Sequence, residues 1–437
     1  MLKTTIISIA LLLTASLVFA QEENIPTYTM QAIEKSGYNP INVGVDDARY
    51  IGNRRITADD STYMEYLTTV IRRDVDFYAD FQLIRIDSFY LRTYEITELD
   101  LLGWQRLGAD FAVKLDVEFP GRNMLVRWRL FDVLHSQRIA KGEFEYNVMF
   151  WRELGHDIAD QIVHTLTGDR GPFRTRIVYV KKLNGAKELF MADYDGANEK
   201  QLTSNGSINL SPTFSPTKEE VYFTSYMEGQ PKLFKVDINS GKVTKVAEYG
   251  DQITAPAVSP DGNKIACVIS EGGNSDIWVL DLSGRKIKRL SSRKSIESSP
   301  TWSPDASQIA FSSDRTGVPQ VYVMDSDGLE VRRLTYQGSY NDSPLWSMRG
   351  DRITLVSRTN TGRFNLVSID TSGADYRVLT DLGTNENPHF SPDGKQLIFS
   401  STRLGGMDIY TMDVSGRNQR RLTRNQNCSN PAWGPFR

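Results

Sequence analysis

The chain has 437 residues, with 51 basic against 54 acidic side chains, 40% hydrophobic residues and 10% aromatics. That length suffices for two or three domains, each able to bury its own core. A net charge of −3 supplies no global basic field, and the chain shows neither a basic stripe nor an exposed aromatic platform, which argues against nucleic acid as a partner.

Residues 1–20 read as an export signal. Lys3 gives a short positive start, residues 6–18 are apolar, and Val18-Phe19-Ala20 fits the small-residue cleavage rule, so the mature chain is expected to begin at Gln21. Position 21 is not a cysteine, so no lipid anchor is expected there. No later stretch reaches the roughly 20 apolar residues that span a bilayer. The expected product is exported and soluble. Residues 21–38 are polar and weakly patterned and read as a flexible N-terminal arm.

Residues 39–167 read as a mixed α/β domain. Asn42-Val43-Gly44-Val45 is a short strand. Asp59, Asp60 and Ser61 offer N-caps for a helix over 62–80, on which Met64, Leu67, Val70, Ile71 and Val75 recur at helical spacing. A strand over 81–86 and a helix over 101–107, ended by Gly108, follow. Three strands come next, starting near Phe111, Met124 and Lys141. In the middle one Leu125, Arg127 and Arg129 share a face, with Met124, Val126, Trp128 and Leu130 on the other. A last helix over 148–166 closes at Gly168, a C-cap. His156 and His164 on it read as surface or packing residues.

Residues 172–437 are organised by a repeat. Pro212, Pro256, Pro300, Pro344, Pro388 and Pro431 are spaced 44, 44, 44, 44 and 43 residues apart. A period of that length marks a β-propeller with one four-stranded blade per repeat. Two residues after each proline stands a large apolar side chain, Phe214, Val258, Trp302, Trp346, Phe390 or Trp433, expected in the core between blades. A Pro-Asp-Gly turn often follows, where Pro fixes φ and Gly supplies positive φ. Third strands end at Asp193, Asp237, Asp281, Asp325, Asp370 and Asp413, which read as acceptors in turns. The second strand expected after Pro431 would fall beyond residue 437, whereas residues 176–203 hold strands that lack an inner partner. Six blades are therefore expected, the ring closing by pairing residues 430–433 with the strands of 176–203. A whole blade separates Cys267 from Cys428, so both thiols are expected to be free. The first domain runs into the ring with almost no linker, which predicts that the two pack together.

Enzyme readings fare poorly. A propeller-gated hydrolase needs a G-x-S-x-G elbow, and none occurs. Nor does an H-E-x-x-H or C-x-x-C metal motif or an EF-hand spacing. A glycosidase needs paired carboxylates in the channel, but the acidic residues here sit mostly in turns. No catalytic, cofactor or metal residue is assigned. His389, beside the core Phe390, is a candidate for a ligand or water site in the central channel, and a glycan-binding protein remains the alternative to a protein adaptor.

The join Leu166-Thr167-Gly168-Asp169-Arg170-Gly171-Pro172-Phe173-Arg174-Thr175-Arg176, the Ser-Pro-Asp-Gly repeats after it, the segment from Leu107 to Val113 and the export signal together resemble the TolB family, the soluble periplasmic component of the Tol–Pal envelope system. The resemblance spans nearly the whole mature chain. It implies a non-enzymatic adaptor without cofactors, in the periplasm and reaching membranes only through its partners. In that family the propeller docks Pal, the peptidoglycan-associated lipoprotein, and the N-terminal arm contacts TolA, in support of outer-membrane integrity and cell division. Residues 21–38 do not clearly match the family's arm. The loops that enter the inner strands and those that join second to third strands share one face of the ring. On it Gln252, Ala255, Ser298, Asn341, Asp342, Asn385, Glu386 and the loop arginines Arg315, Arg358 and Arg403 are candidate partner-binding residues. Ala255 and Ser298 match the family's Pal-contacting loops. The arginines have a second reading, as braces within their loops.

Overall fold

The computed structural model describes residues 39–85, 101–292, 294–358, 362–424 and 427–437. The expected export signal and arm lie outside the described residues. The first domain runs β1 (Ile41–Val45), β2 (Arg49–Tyr50), α1 (Ala58–Phe77), β3 (Phe81–Ile84), α2 (Leu101–Arg106), β4 (Phe111–Glu118), β5 (Asn123–Asp132), β6 (Gln137–Asn147) and α3 (Trp151–Thr167). Its sheet has the order β3-β1-β4-β5-β6, with β2 added beside β4. β1 is parallel to β3 and β4, and β4, β5 and β6 are antiparallel.

Local chemistry explains where the helices begin. α1 starts earlier than expected because Thr57, rather than Asp59, Asp60 or Ser61, is its N-cap. The Thr57 hydroxyl accepts the Asp60 N–H at 3.2 Å, and the Asp60 carboxylate accepts the Thr57 N–H at 2.8 Å. Two of the orphan donors of the first turn are thus satisfied reciprocally, with aspartate in the role usually filled by Glu or Gln. Before α3 the chain makes a single 3-10 turn, Val148–Phe150, so this helix starts later than 148. It ends at Gly168, whose φ of 77° only glycine adopts at no steric cost.

The side chains of β5 alternate as expected. Met124, Val126, Trp128 and Leu130 are buried with Leu67 and Ile71 of α1 and Leu154, Ile158 and Ile162 of α3. On the open face Arg127 meets Glu143 at 2.6 Å and also Glu118, while Arg129 meets Asp116. Gly142 is required opposite Trp128, since a Cβ there would come 2.5 Å from the indole nitrogen.

The remainder forms six four-stranded sheets. The inner strands of blades 1 to 6 are Asn209–Phe214, Gln252–Val258, Glu297–Trp302, Asn341–Trp346, Asn385–Phe390 and Cys428–Trp433. The last pairs antiparallel with Arg176–Leu183, Trp433 opposite Ile177 and Cys428 opposite Lys181. The sixth blade therefore joins the two ends of the propeller sequence and leaves only the short edges that every blade of a propeller has.

Each inner strand bulges at the residue before its proline. Ser211, Ala255, Ser299, Ser343, Asn387 and Asn430 all have φ between 47 and 53°. The pairing register shifts at each of these points. Proline disfavours the right-handed helical region for its predecessor and cannot donate to the ladder, so the strand bends here instead of pairing through. In blades 2 to 6 a hydroxyl of the outer strand's end (Ser291, Thr335, Thr380, Thr423 and Thr203) accepts a third-strand N–H at 2.9 Å. Blade 1 has Ala247 opposite Leu233 and lacks this latch.

The two domains share one core. Phe77 and Tyr78 of α1, Phe173 of the join and Tyr194 and Trp433 of blade 6 belong to a single buried cluster with the helices and sheet of the first domain.

Candidate functional site

The ring has two unlike faces. One carries the turns between first and second and between third and fourth strands, and the first domain sits on it. From this face Lys395 pairs with Asp80 and, at 2.6 Å, with Asp169. Arg349 reaches Asp169 and Arg420 reaches Asp76, each at 3.1 Å, while Asp195 accepts from Arg152 at 2.5 Å. The opposite face contributes none of these contacts. On it Ile296, Val318, Leu382 and Leu404 are exposed, and Tyr336 is 73% exposed. Exposed apolar side chains also stand on the first-domain side, as at Leu329 and Met348, so what distinguishes the opposite face is that no domain covers it.

A channel of about 520 Å³ opens at the centre, lined by the six prolines, the bulged residues before them and aromatics such as Trp302, Phe390 and Trp433. Ala255 stands in this lining, inside an inner strand rather than in the loop before it. Gln252 and Ser298 are half-buried in the same strands, and the Gln252 amide donates to Ser270 Oγ at 3.0 Å. Asp342 and Glu386 are half-buried on adjacent blades. Burial pushes the Glu386 carboxyl upward.

Asn341 and Asn385 do not belong to the surface. Both are fully buried. Asn341 donates to Gln320 Oε1 at 3.0 Å and to the Gln337 carbonyl at 2.7 Å. Asn385 donates to the Leu382 carbonyl at 3.1 Å and accepts from Arg403 at 3.0 Å. They occupy, three residues before the proline, the position of Asn209, Ile253, Glu297 and Cys428, all of which are buried. Strand alternation could have shown this, because the third and second of these equivalents are an ion-pairing carboxylate and an isoleucine. The polar character of the two asparagines suggested a loop instead.

The arginines divide. Arg315 Nη2 meets Glu297 Oε2 at 3.0 Å and stacks 4.6 Å from the Tyr322 ring centre. Arg403 repeats the pattern one blade pair later, on Asn385 and 4.6 Å from the Tyr410 ring centre. These two are braces that tie the second-to-third loop to the start of the inner strand. Arg358 is exposed. The strand-end aspartates act as turn acceptors: Asp281 Oδ1 takes the N–H groups of Ser283 and Arg285, and Asp370 Oδ1 those of Ser372 and Ala374. Hydrogen bonds from the serine hydroxyl and the backbone hold both carboxyls down at about 2.

His389 lines the channel. Its Nδ1 accepts the Trp433 N–H at 3.2 Å, as Thr301 Oγ1 accepts the Trp346 N–H at 3.4 Å two blades away. Burial pulls the imidazole below its ordinary range, so it is neutral; protonated on Nε2 it is an inter-blade acceptor, and protonated on Nδ1 it donates instead to the Phe390 carbonyl at 3.1 Å. Cys267 and Cys428 are buried thiols that are not joined in a disulfide. Among the described residues no group of three or more His, Cys, Asp or Glu is placed to hold a metal, and no helix is long and apolar enough to cross a membrane.

A small α/β domain fused to one face of a six-bladed propeller, with the other face free, defines a class of two-domain propeller proteins. A family profile described as the TolB beta propeller domain matches residues 163–437, and one described as the TolB amino-terminal domain matches residues 34–139. The chain belongs to the TolB family. It is similar to the "Tol-Pal system protein TolB" of Geobacter sulfurreducens, 36% identical over 190 residues, and of Roseobacter denitrificans, 34% identical over 171. The matched segments cover 43% and 38% of this chain and 43% and 39% of those relatives, so the chain spans less than half the length of the curated relatives it matches. Among solved structures, TolB from Acinetobacter baumannii superposes with a TM-score of 0.79 at 26% identity, covering 91% of this chain and 97% of that one. A chain of a nidogen/laminin complex, at 12% identity and a TM-score of 0.51, shares the propeller fold alone.

Proposed function

We propose that this protein is a non-enzymatic periplasmic adaptor. The free face of its ring docks the peptidoglycan-associated lipoprotein Pal, residues 21–38 engage TolA, and the pair of contacts supports outer-membrane integrity and division. The observation that carries this reading is the asymmetry of the ring: one face holds the first domain, and the other is left uncovered, with Tyr336, Leu382 and Leu404 among its exposed side chains. Membership of a family whose curated relatives bear the name Tol-Pal system protein supports it. The contact residues are Gln252, Ala255, Ser298 and Arg358, with Asp342 and Glu386 between them. Asn341, Asn385, Arg315 and Arg403 shape the loops from beneath.

The test is a pull-down from detergent-solubilised envelope with the tagged mature protein, followed by mass spectrometry of what is retained. Recovery of a Pal-like lipoprotein is expected, and Ala255→Arg should weaken that recovery without lowering Tm. Ala255 already sits at φ 48°, so a longer L side chain there adds little backbone cost beyond that of alanine. Retention of nothing by a folded protein would shift the reading to a glycan or other small ligand in the channel, whose volume falls within the roughly 300–1,000 Å³ of ligand pockets.

A further inference from the structure

The stripe of α3 that faces the propeller is charged, with His156 buried and Arg152 and Asp160 half-buried. Arg152, His156 and Asp160 lie one above another at four-residue intervals. Arg152 pairs with Asp195 at 2.5 Å and Asp193 at 3.5 Å, both in the ring. His156 Nδ1 donates to Asp74 Oδ2 of α1 at 2.7 Å, and Tyr194 of the ring donates its hydroxyl to the other oxygen of Asp74. Asp74 is thus the point at which α1, α3 and the propeller meet. Burial pulls the His156 imidazole down, but the Asp74 carboxylate outweighs it and the net direction is up.

Asp160 has no such partner. Its Oδ1 is buried without a hydrogen bond. It abuts the join, where a Cβ on Gly171 would come 2.4 Å from it. Facing it are His156 and Asp157 from its own helix, Asp74 from α1 and Arg170 from the join, with Tyr194 and Asp195 of the ring behind Asp74. The cations of the join are engaged elsewhere: Arg174 pairs with Asp157 at 3.1 Å, Arg176 lies 3.4 Å from Glu219, and Arg170 donates to the Arg437 carbonyl and lies 4.9 Å from the Phe436 ring centre.

We propose that Asp160 is the proton-binding element of a latch between the two domains, neutral when the join is closed and ionised when it opens. An ionised Asp160 in the closed form would leave a charge on a half-buried carboxyl, one oxygen of it buried without a partner, beside the acids Asp74 and Asp157, which is costly. Hydrating Oδ1, which lies against Gly171, requires moving the segment that leads from Gly171 to Phe173. Phe173 packs between the two domains, its ring centre 6.3 Å from that of Tyr78 and 5.5 Å from that of Tyr194. Movement of this segment therefore loosens the shared core. Burial, with Asp74 and Asp157 adding to it, pushes the Asp160 carboxyl up to about 8. A group raised in the closed form contributes closure fully below its ordinary value near 4, and that contribution drains away as pH rises toward 8. Acid tightens the join and alkali loosens it.

Hydrogen exchange of the full mature chain, corrected for the chemical exchange rate, tests this at a series of pH values from about 5 to about 9. Protection of residues 168–176 in the wild type should fall by up to about tenfold per pH unit and level off near pH 8. Asp160→Asn should lose most of that slope, and an Asn variant that reproduces the wild-type profile would overturn the proposal. Should Asp160→Asn fail to fold, Asp157→Asn decides: removing one neighbouring like charge should bring the levelling-off to lower pH, and an unmoved profile overturns the latch.

Discussion

The guanidinium of Arg315 and the carboxylate of Glu297 meet at 3.0 Å with the glutamate side chain wholly enclosed and the arginine 12% exposed. The serine hydroxyls of Ser295 and Ser313 complete the carboxylate's shell at 2.5 and 3.0 Å. Arg315 thus holds a loop from beneath and leaves little of itself for a partner. Arg315→Ala should cost about 3–5 kcal/mol in denaturant unfolding, because it strands a buried charge. Arg358→Ala, on the exposed arginine of the next blade, should stay within about 0.5 kcal/mol. Equal effects would refute the division of the loop arginines into braces and surface groups.

Ring closure is the second point to test. Without residues 428–437 the strand Arg176–Leu183 loses its inner partner and Trp433 leaves a core it shares with Phe77 and Tyr194. The shortened chain should melt far below the full one, and Trp433→Ala alone should cost about 3–5 kcal/mol. A truncated chain with unchanged Tm would show that the sixth blade is dispensable.

The α1 cap predicts an acid response. The hydrogen bonds from Arg54, then those from Thr57, hold the Asp60 carboxyl down at about 2. A depressed group contributes stability above its ordinary value near 4 and loses it as pH falls toward 2. Asp60→Asn should therefore flatten the loss of Tm over that acid range, and Thr57→Ala should remove about 1 kcal/mol at neutral pH. Thermal melts between about pH 2 and 5 compare the slopes.

The two thiols should be inert in the native state. Burial pushes both Cys267 and Cys428 up to about 12, so neither holds an appreciable thiolate fraction at neutral pH. Alkylation followed by mass spectrometry should label both only after unfolding. Rapid labelling of Cys428 in the folded protein would show that the closing blade opens readily.

Much of this architecture is legible in the chain because it repeats. Six prolines at one period, six apolar residues two places on and the missing second strand after Pro431 lead to the ring and its closure without reference to any contact. The site is harder to read for the same reason. Asn341 and Asn385 look like loop residues, yet they stand where Ile253 and Glu297 are buried, and only the neighbouring strand shows which face of the bulge each one takes. Asp74, His156 and Asp160 belong to no repeat, and their meeting depends on how α1 and α3 lie against blade 6. The first cap of α1 was misplaced because three candidate residues follow Thr57, and their choice rests on the reciprocal bond from Asp60.

Closure also orders events in time. Trp433 donates to Thr175 Oγ1 at 2.7 Å across 258 residues of sequence. A chain made from its N-terminus must hold the strands of 176–201 unfinished through the synthesis of five intervening blades. Contacts so distant in sequence are slow to form, and an unpaired strand edge is prone to recruit other chains meanwhile. A helper that shields the edge of residues 176–183 during this interval would raise the yield of folded protein without touching its final stability.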